Sequence, residues 1–151
     1  MSLLKKLDED LITALKKSDK LKLSVLRMAK AAVKYQQIDK GRELQDEEIL
    51  AIFSTLAKQR RESIEQFSKG GRDDLVQQET LELAILQSYM PAQLSAQEID
   101  DMILQAIKES SAKNEGDMGK VMKMLAPRIK GVADGKSVNN RVRELLHGVK
   151  G

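Results

Sequence analysis

Apolar residues recur at intervals of three and four along most of the chain, and this spacing limits its fold more than any other feature. Leu3, Leu4, Leu7, Leu11 and Leu15 show the pattern at the start. It places apolar side chains in one stripe on an α-helix, whereas a half-buried strand alternates every second residue. Aromatic residues, which favour strands, make up only 3% of the sequence. The pattern predicts an all-α protein.

Seven helices are predicted from this periodicity and from the residues that start and stop helices. Gly41 and Pro91 are the expected stops of the second and fourth helices. Asp46 is the expected N-cap of the third helix, and Asp73 or Asp74 that of the fourth. The first helix is predicted to stop near residue 18, the second to span 20–38, the third to run from 46 to the glycine pair at 70–71, and the last three to span 96–110, 118–126 and 136–146.

A break just before Ser95 separates two groups of helices. Pro91 ends one helix, and Ser95 with Glu98 has the spacing of a capping box that starts the next. Such a break in a chain of this length is typical of a boundary between two compact parts. We therefore predict an N-terminal helical bundle over residues 1–92 and a small three-helix module over residues 93–151.

Positive charge is concentrated near the C-terminus. The net charge of the whole chain is +3, but the segment from Asp117 onward has eight basic and three acidic residues, a net charge of +5. This asymmetry favours an anionic partner for the C-terminal part, although ordinary solvated helix faces explain it equally well. The candidate contacts for such a partner are Lys120, Lys123, Lys130, Lys136 and Arg141.

The stretch GVADGKS at 131–137 resembles a phosphate-binding loop but lacks two of its requirements. The P-loop pattern has four residues between its first glycine and the Gly-Lys pair, and here there are three. No strand is predicted before Gly131. We expect Asp134 to cap the last helix and Gly131 and Gly135 to allow the turn into it, so that Lys136 and the helix N-terminus hold at most one phosphate of a larger ligand. No ATP or GTP binding is predicted.

Residues for catalysis or for metal binding are scarce. His147 is the one histidine, and Glu144 with His147 supplies only a single Glu-x-x-His pair, where a di-iron bundle needs two. The adjacent pairs Asp73-Asp74 and Asp100-Asp101 diverge by about 100° on a helix, so neither acts as a dyad. The absence of cysteine excludes disulfides and thiolate metal sites. We predict no catalytic centre, no bound metal and no cofactor in the isolated chain.

Two further clusters each have two interpretations. The charged stretch at 58–67 reads as an exposed, salt-bridged helix face, while Arg60 within it would extend a groove for an anion. Four methionines of the C-terminal module either fill its core or form an adaptable binding groove, and core filling is the simpler explanation. They are Met102, Met118, Met122 and Met124.

Five segments, taken in order, resemble the YqeY-like family of small bacterial proteins. They are KQRRESIEQF at 58–67, GRDDL at 71–75, YMPAQL at 89–94, DMGKVM at 117–122 and KGVADGK at 130–136. This family is similar to the C-terminal tail of GatB, the B subunit of the amidotransferase that converts glutamate on mischarged tRNA to glutamine. The resemblance implies a two-part helical tail whose terminal module helps hold tRNA, while the kinase and ammonia-transfer chemistry belongs to other domains.

On this resemblance the chain is expected to be a tRNA-binding accessory protein without a catalytic centre of its own. An adaptor that docks an amidotransferase or another protein is the alternative, and a carbon–nitrogen ligase that takes its amide nitrogen from glutamine and acts with partners is a third. Aromatic side chains for base stacking are few, which favours structured RNA contacted through its phosphates. They are Tyr35, Phe53, Phe67 and Tyr89.

The expected location follows from what the sequence does not contain. No run of about 18 apolar residues is present, and the start lacks the order of regions found in a secretory signal peptide. We therefore expect a cytoplasmic protein with no membrane association, and the resemblance to the YqeY-like family implies a bacterial source.

Overall fold

A computed structural model describes residues 2–148 of the chain. Over that range the protein consists of seven α-helices and one short 3₁₀ turn, and no strand occurs in it. The prediction of an all-α protein is confirmed. The helices are α1 (Leu3–Lys16), α2 (Lys20–Lys40), α3 (Asp46–Lys69), α4 (Asp73–Gln87), α5 (Ala96–Ser110), α6 (Met118–Ile129) and α7 (Gly135–His147), and the 3₁₀ turn is Glu115–Asp117.

The chain divides into two compact units, Met1–Pro91 and Ala92–Gly151. Helices α1 to α4 belong to the first unit and α5 to α7 to the second. Each unit has its own apolar core, as expected for segments that bury their helical stripes separately. That the two units are independent domains divided at residue 92 stays a prediction.

The core of the first unit is formed by one stripe from each helix and by two residues outside the helices. Phe53 and Tyr89 stack with their ring centroids 4.9 Å apart. The Tyr89 hydroxyl donates a hydrogen bond to Asp10, and burial together with this carboxylate raises the pKa of Tyr89. Tyr89 therefore attaches the chain after α4 to α1. The buried residues are Leu7, Val25, Leu26, Ala29, Val33, Leu44, Ile49, Ile52, Phe53, Leu56, Leu86 and Tyr89.

Arg60 lies inside the first unit, between α3 and α4. Its Nε atom is 3.0 Å from a carboxylate oxygen of Glu82 and 3.4 Å from one of Glu79, and its Nη2 donates to the Met28 sulfur. The Arg60 side chain is only 15% exposed. The interpretation that Arg60 extends a groove for an anion is therefore wrong, because two carboxylates already occupy its guanidinium.

In the second unit, α5 begins at the capping box that the sequence indicates. Ser95 Oγ accepts the Glu98 backbone N–H at 3.1 Å, and Glu98 Oε1 accepts the Ser95 backbone N–H at 3.2 Å. The four methionines pack, partly buried, against the core, which supports their interpretation as core residues. That core consists of Ile103, Ala106, Ile107, Ala112, Val121, Leu125, Ile129, Val138, Val142 and Leu146.

Two of the predicted N-caps are wrong by one residue. Gln45, not Asp46, is the N-cap of α3, and the Asp46 carboxylate instead accepts the Leu3 backbone N–H at 3.1 Å. Arg72 is the N-cap of α4, so the two aspartates that follow it belong to the first helical turn. In that turn, negative charge still stabilises the helix through its dipole. The predicted stop at Gly41 is confirmed, because Gly41 follows α2 with a φ of +69°.

Helix α6 continues through Pro127 to Ile129, three residues beyond its predicted end. Proline has no N–H to donate to the Lys123 carbonyl, so its presence predicts a stop. Pro127 is exposed and lies in the last turn, so that continuing the helix costs only the one hydrogen bond to the Lys123 carbonyl. Within residues 2–148, no helix combines the length and apolar character that crossing a membrane requires.

Candidate nucleic-acid interface

Helix α6 carries two of the predicted contact residues on its exposed side. Val121, Leu125 and Ile129 are buried in the core of the second unit. At about 100° per residue, Lys120 and Lys123 lie roughly 140° to 160° around the helix from this buried line. Both are exposed. The ammonium group of Lys120 is 3.7 Å from the Asp117 carboxylate, with 68% of the lysine side chain exposed.

Lys130 follows α6, at the start of a turn whose backbone is held by two hydrogen bonds, which we call the pinned turn. The Val132 carbonyl accepts the Leu94 backbone N–H at 2.8 Å, and the Gly131 carbonyl accepts the Gln93 side-chain amide at 3.0 Å. Gly131 has a φ of +79°, a conformation that side chains other than glycine rarely adopt. Lys130 itself is exposed, so this turn fixes its backbone while the side chain points outward.

The start of α7 matches the helix-cap interpretation of the GVADGKS stretch. Asp134 is the N-cap, and its carboxylate accepts the Ser137 backbone N–H at 3.3 Å and the Ser137 hydroxyl at 2.8 Å. The turn that leads into α7 follows helix α6, where a P-loop would follow a strand. The Asp134 carboxylate occupies the helix N-terminus to which a phosphate would bind, so the structure does not favour a P-loop at this position. Lys136 lies exposed in the first turn.

Arg141 is placed differently from the other candidate contacts. Its Nε and Nη2 donate to the two oxygens of Asp100 on α5 at 2.8 and 2.9 Å, and its Nη1 donates to Glu144 at 2.9 Å. The hydrogen bonds from Arg141 lower the pKa of the Asp100 carboxyl. Such a two-pronged pair fixes one guanidinium geometry. Arg141 therefore joins α7 to α5, and three of its five N–H donors are engaged by carboxylates of the protein itself.

Arg143 is a further cation that the sequence analysis did not select. It is exposed, and it makes no ion pair or hydrogen bond within residues 2–148. Arg143 follows Lys136 by seven residues, two helical turns, so the two side chains leave α7 on the same side. That seven-residue spacing is the signal by which Arg143 could have been found.

Two pairings with α5 show which way the exposed sides of α6 and α7 face. Arg128 of α6 is 3.9 Å from Glu109 of α5, and Arg141 of α7 binds Asp100 of the same helix. By helical geometry, the side chains of Lys123 and Lys130 lie roughly 140° to 160° around α6 from Arg128. Lys136 and Arg143 are displaced from Arg141 by the same angle on α7. All four therefore lie away from α5.

We call these four residues, Lys123, Lys130, Lys136 and Arg143, the basic α6–α7 face. Helices α6 and α7 are joined by a five-residue turn and run in opposite directions, because His147 at the end of α7 lies 3.1 Å from Glu115 before the start of α6. Lys130 and Lys136 thus lie at the turn end, and Lys123 and Arg143 lie nearer the other end. Lys120 is at the edge of the face, beside its partner Asp117.

The acidic residues around this face are already engaged. Glu144 accepts from Arg141, and Glu115 is paired with the His147 ring. Asp117 accepts the Lys113 backbone N–H at 2.9 Å, and this hydrogen bond, with Lys120 nearby, lowers the pKa of its carboxyl. Lys123 and Lys130, like Arg143, form no ion pair in the part of the chain that the structure describes. Lys123, Lys130 and Arg143 consequently give the face a positive potential.

Residues 2–148 contain no group of three or more histidine, aspartate or glutamate residues positioned to hold a metal ion. The Nδ1 atom of His147 lies 3.1 Å from a carboxylate oxygen of Glu115. The absence of a bound metal and of a cofactor stays a prediction.

These features define a class of protein: an all-helical chain of two compact units, the second of which carries a basic helical hairpin. The model of the family described as Yqey-like protein matches residues 4–146. The chain belongs to this family, and the resemblance seen in the sequence is confirmed.

Curated relatives include yeast proteins called "Altered inheritance of mitochondria protein 41, mitochondrial". The protein from Eremothecium gossypii is 42% identical over 87 residues, covering 57% of this chain and 48% of the relative. The one from Lachancea thermotolerans is 33% identical over 112 residues, covering 72% and 59%. A Saccharomyces cerevisiae relative is 30% identical over 119 residues, covering 75% and 64%. The matches thus span about half to two thirds of the relatives' length.

These relatives correct two expectations drawn from the sequence. The predictions of a bacterial source and of a cytoplasmic location are wrong on this finding, because the relatives are yeast proteins whose names place them in mitochondria. The prediction of a cytoplasmic location rested on the lack of a membrane span and of a secretory signal. Neither feature distinguishes a cytoplasmic protein from a mitochondrial one, so these two absences could not predict the location.

Proposed function

We propose that this protein binds structured RNA, with tRNA as the first candidate, and that it acts as an accessory protein rather than as a catalyst. The observation that carries the proposal is the basic α6–α7 face, on which Lys123, Lys130 and Arg143 are exposed cations without a partner in the described residues. Membership of the Yqey-like family, together with the similarity of that family to an amidotransferase tail, supports tRNA as the ligand.

The dimensions of the face suit phosphates. Lys123 and Lys130 are seven residues apart, as are Lys136 and Arg143, which corresponds to about 10 Å along each helix. Neighbouring packed helices lie about 8–10 Å apart. The four cations therefore form a rough square with sides of about 10 Å. Two neighbouring backbone strands of a folded RNA would present phosphates to the pair on α6 and to the pair on α7. Contacts of this kind position an RNA without reading its sequence.

Arg141 has a supporting role in the proposal. By binding both oxygens of Asp100, it holds α7 against α5 and so fixes the orientation of the exposed side of α7. The pinned turn after Lys130 does the same for the junction of α6 and α7. A rigid arrangement of cations loses less entropy when RNA binds, so these contacts favour affinity without touching the ligand.

The proposal is tested by fluorescence anisotropy with labelled tRNA and the full chain at low salt. We expect binding by the wild type and a large loss of affinity when Lys123, Lys130, Lys136 and Arg143 are all replaced by glutamine. A matched control replaces four exposed lysines of the first unit and should bind like the wild type. These are Lys5, Lys16, Lys17 and Lys20.

The possible outcomes separate the functional classes. Failure of the wild type to bind tRNA at low salt rejects the proposal and makes the protein-docking adaptor the function to pursue. Equal losses in both four-residue variants would mean that only net charge matters and that the basic α6–α7 face is not the interface.

A further inference from the structure

A groove of about 290 Å³ lies on the first unit between α2 and α3. Ile52 and Leu56 of α3 and Ala32 of α2 give it an apolar floor. Gln36 of α2 and Gln59 of α3 line it from opposite sides. Neither carboxamide makes a hydrogen bond within residues 2–148, so each has its oxygen and its NH₂ group available. The groove therefore combines an apolar surface with two free sets of donors and acceptors.

An aromatic ring and a cation lie at the edges of this groove. Tyr35 follows the lining residue Ala32 by three positions, so helical spacing places it on the neighbouring part of the α2 surface, and 76% of Tyr35 is exposed. Lys58 follows Thr55, another lining residue, by three positions on α3 and is also exposed. Lys58 has no ion-pair partner in the described part of the chain. A large exposed aromatic ring contributes nothing to the core, where Phe53 and Tyr89 are stacked.

We propose that the α2–α3 groove binds one unpaired nucleobase of RNA. In this arrangement the base lies over the apolar floor and stacks on the Tyr35 ring, while the Gln36 and Gln59 carboxamides hydrogen-bond to its edge and Lys58 contacts the attached phosphate. Stacking on an aromatic side chain with a nearby cation is the usual way that proteins hold unpaired bases. The inference rests on the proposed function, since it adds a base site to an RNA-binding protein.

The size and chemistry of the groove favour a base over a protein segment. Its volume equals that of about ten liquid water molecules, which is at the lower limit for small-molecule sites and suits one planar group. A docked helix needs apolar contacts repeated over two or more turns. Here Gln36 and Gln59 border the apolar floor, and a docked apolar segment would bury their carboxamides without hydrogen-bond partners, which opposes such packing.

The experiment compares two RNA probes, folded tRNA and a ten-nucleotide single-stranded oligouridylate, by anisotropy with the full chain. Tyr35→Ala is expected to weaken oligouridylate binding about 5- to 150-fold, the range for loss of one stacked base. Tyr35→Phe keeps the ring and should bind within about twofold of the wild type. A double variant with Gln36→Ala and Gln59→Ala should also weaken binding. Ile38→Ala serves as the matched control, since Ile38 is equally exposed on α2 and does not line the groove.

A second readout locates the base directly. An oligomer that carries 4-thiouridine should crosslink to a peptide containing Tyr35 when it is irradiated with the wild-type protein. The proposal is overturned if the tyrosine and glutamine variants bind both probes like the wild type and no such crosslink forms, and the groove is then left to a protein partner. If the basic-face variant alone loses tRNA, the proposed function stands without the base site. If the wild type binds neither probe, both fall.

Discussion

The ionic cluster between α3 and α4 gives a quantitative test of how the first unit is held together. Arg60 contacts Glu82 and Glu79, and the three side chains are 15%, 11% and 19% exposed. We consider Arg60→Met, which keeps most of the apolar length of the side chain and removes its charge. Two carboxylates are then left without a counter-charge in a largely dehydrated site.

The expected cost is at the lower end of the range for breaking a buried ion pair. Removing one partner of a fully buried pair costs about 3–5 kcal/mol. Because these side chains keep some contact with water, we expect a loss of about 3 kcal/mol in the free energy of unfolding. This is a large share of the roughly 5–15 kcal/mol that stabilises a typical domain. Replacing both glutamates by glutamine in the Arg60→Met background should recover most of it.

The same cluster predicts a dependence of stability on pH. Burial, followed by the neighbouring Glu82 charge, raises the pKa of Glu79 above its ordinary value of 4.5, although Arg60 opposes the shift. The folded protein then binds a proton that the unfolded chain has released, so stability falls as pH rises from 4.5 through the pKa of the folded state. Glu79→Gln should remove this part of the pH dependence and should not destabilise the protein at pH 7.

Urea unfolding followed by circular dichroism at pH 5 and pH 7 measures both effects. The loss caused by Arg60→Met should be larger at pH 7 than at pH 5, because the raised pKa of Glu79 leaves more of that carboxyl protonated at the lower pH. A loss below about 1 kcal/mol at pH 7 would refute the reasoning, since it would mean that water or a rearranged side chain replaces the guanidinium at little cost.

Three further predictions concern the second unit. Arg141→Lys should lower the melting temperature by several degrees, because lysine cannot bind both oxygens of Asp100 in the planar geometry of arginine. Adding Asp100→Asn to this variant should lower the melting temperature no further. Asp134→Ala should lower the free energy of unfolding, measured in urea, by about 1 kcal/mol because α7 loses its N-cap. A loss below roughly 0.3 kcal/mol would contradict that role. Isothermal calorimetry with Mg-ATP should detect no binding, whereas micromolar affinity abolished by Lys136→Ala would revive the nucleotide interpretation.

Helix limits were predictable where the signals are local in sequence. The predicted range 96–110 coincides with α5, because the Ser95 and Glu98 capping box starts the helix within four residues. Gly41 and Asp134 were equally accessible, since a left-handed stop and a side-chain cap each depend on a few neighbouring residues. Pro127 shows the limit of such rules, since one lost hydrogen bond in an exposed last turn did not end α6.

Side-chain partners distant in sequence were not predictable. Arg141 looked like one more cation of the basic tail, but its strongest partner, Asp100, lies 41 residues earlier and is brought close only when α5 packs on α7. Arg60 likewise meets Glu79 and Glu82 through the packing of α3 on α4. A count of charges along the chain cannot distinguish a cation that joins two helices from one that faces water.

The groove between α2 and α3 illustrates the same limit. The sequence shows Tyr35 as one of few aromatic residues, yet only the fold shows that it is exposed and that its neighbour Gln36 lines a groove with Gln59. The two glutamines come from different helices and have no local motif in common. Their juxtaposition depends on the antiparallel packing of α2 and α3, which the sequence pattern does not specify.

The salt dependence of tRNA binding tests the central claim most directly. Each phosphate contact adds roughly 0.7–0.9 to the slope of log affinity against log salt, so four contacts on the basic α6–α7 face predict a slope of about −3. Replacing Lys123 and Lys130 by alanine should reduce the slope by about half while the far-ultraviolet dichroism stays that of the folded wild type. A wild type without affinity at low salt, or a double variant with an unchanged slope, would contradict the claim.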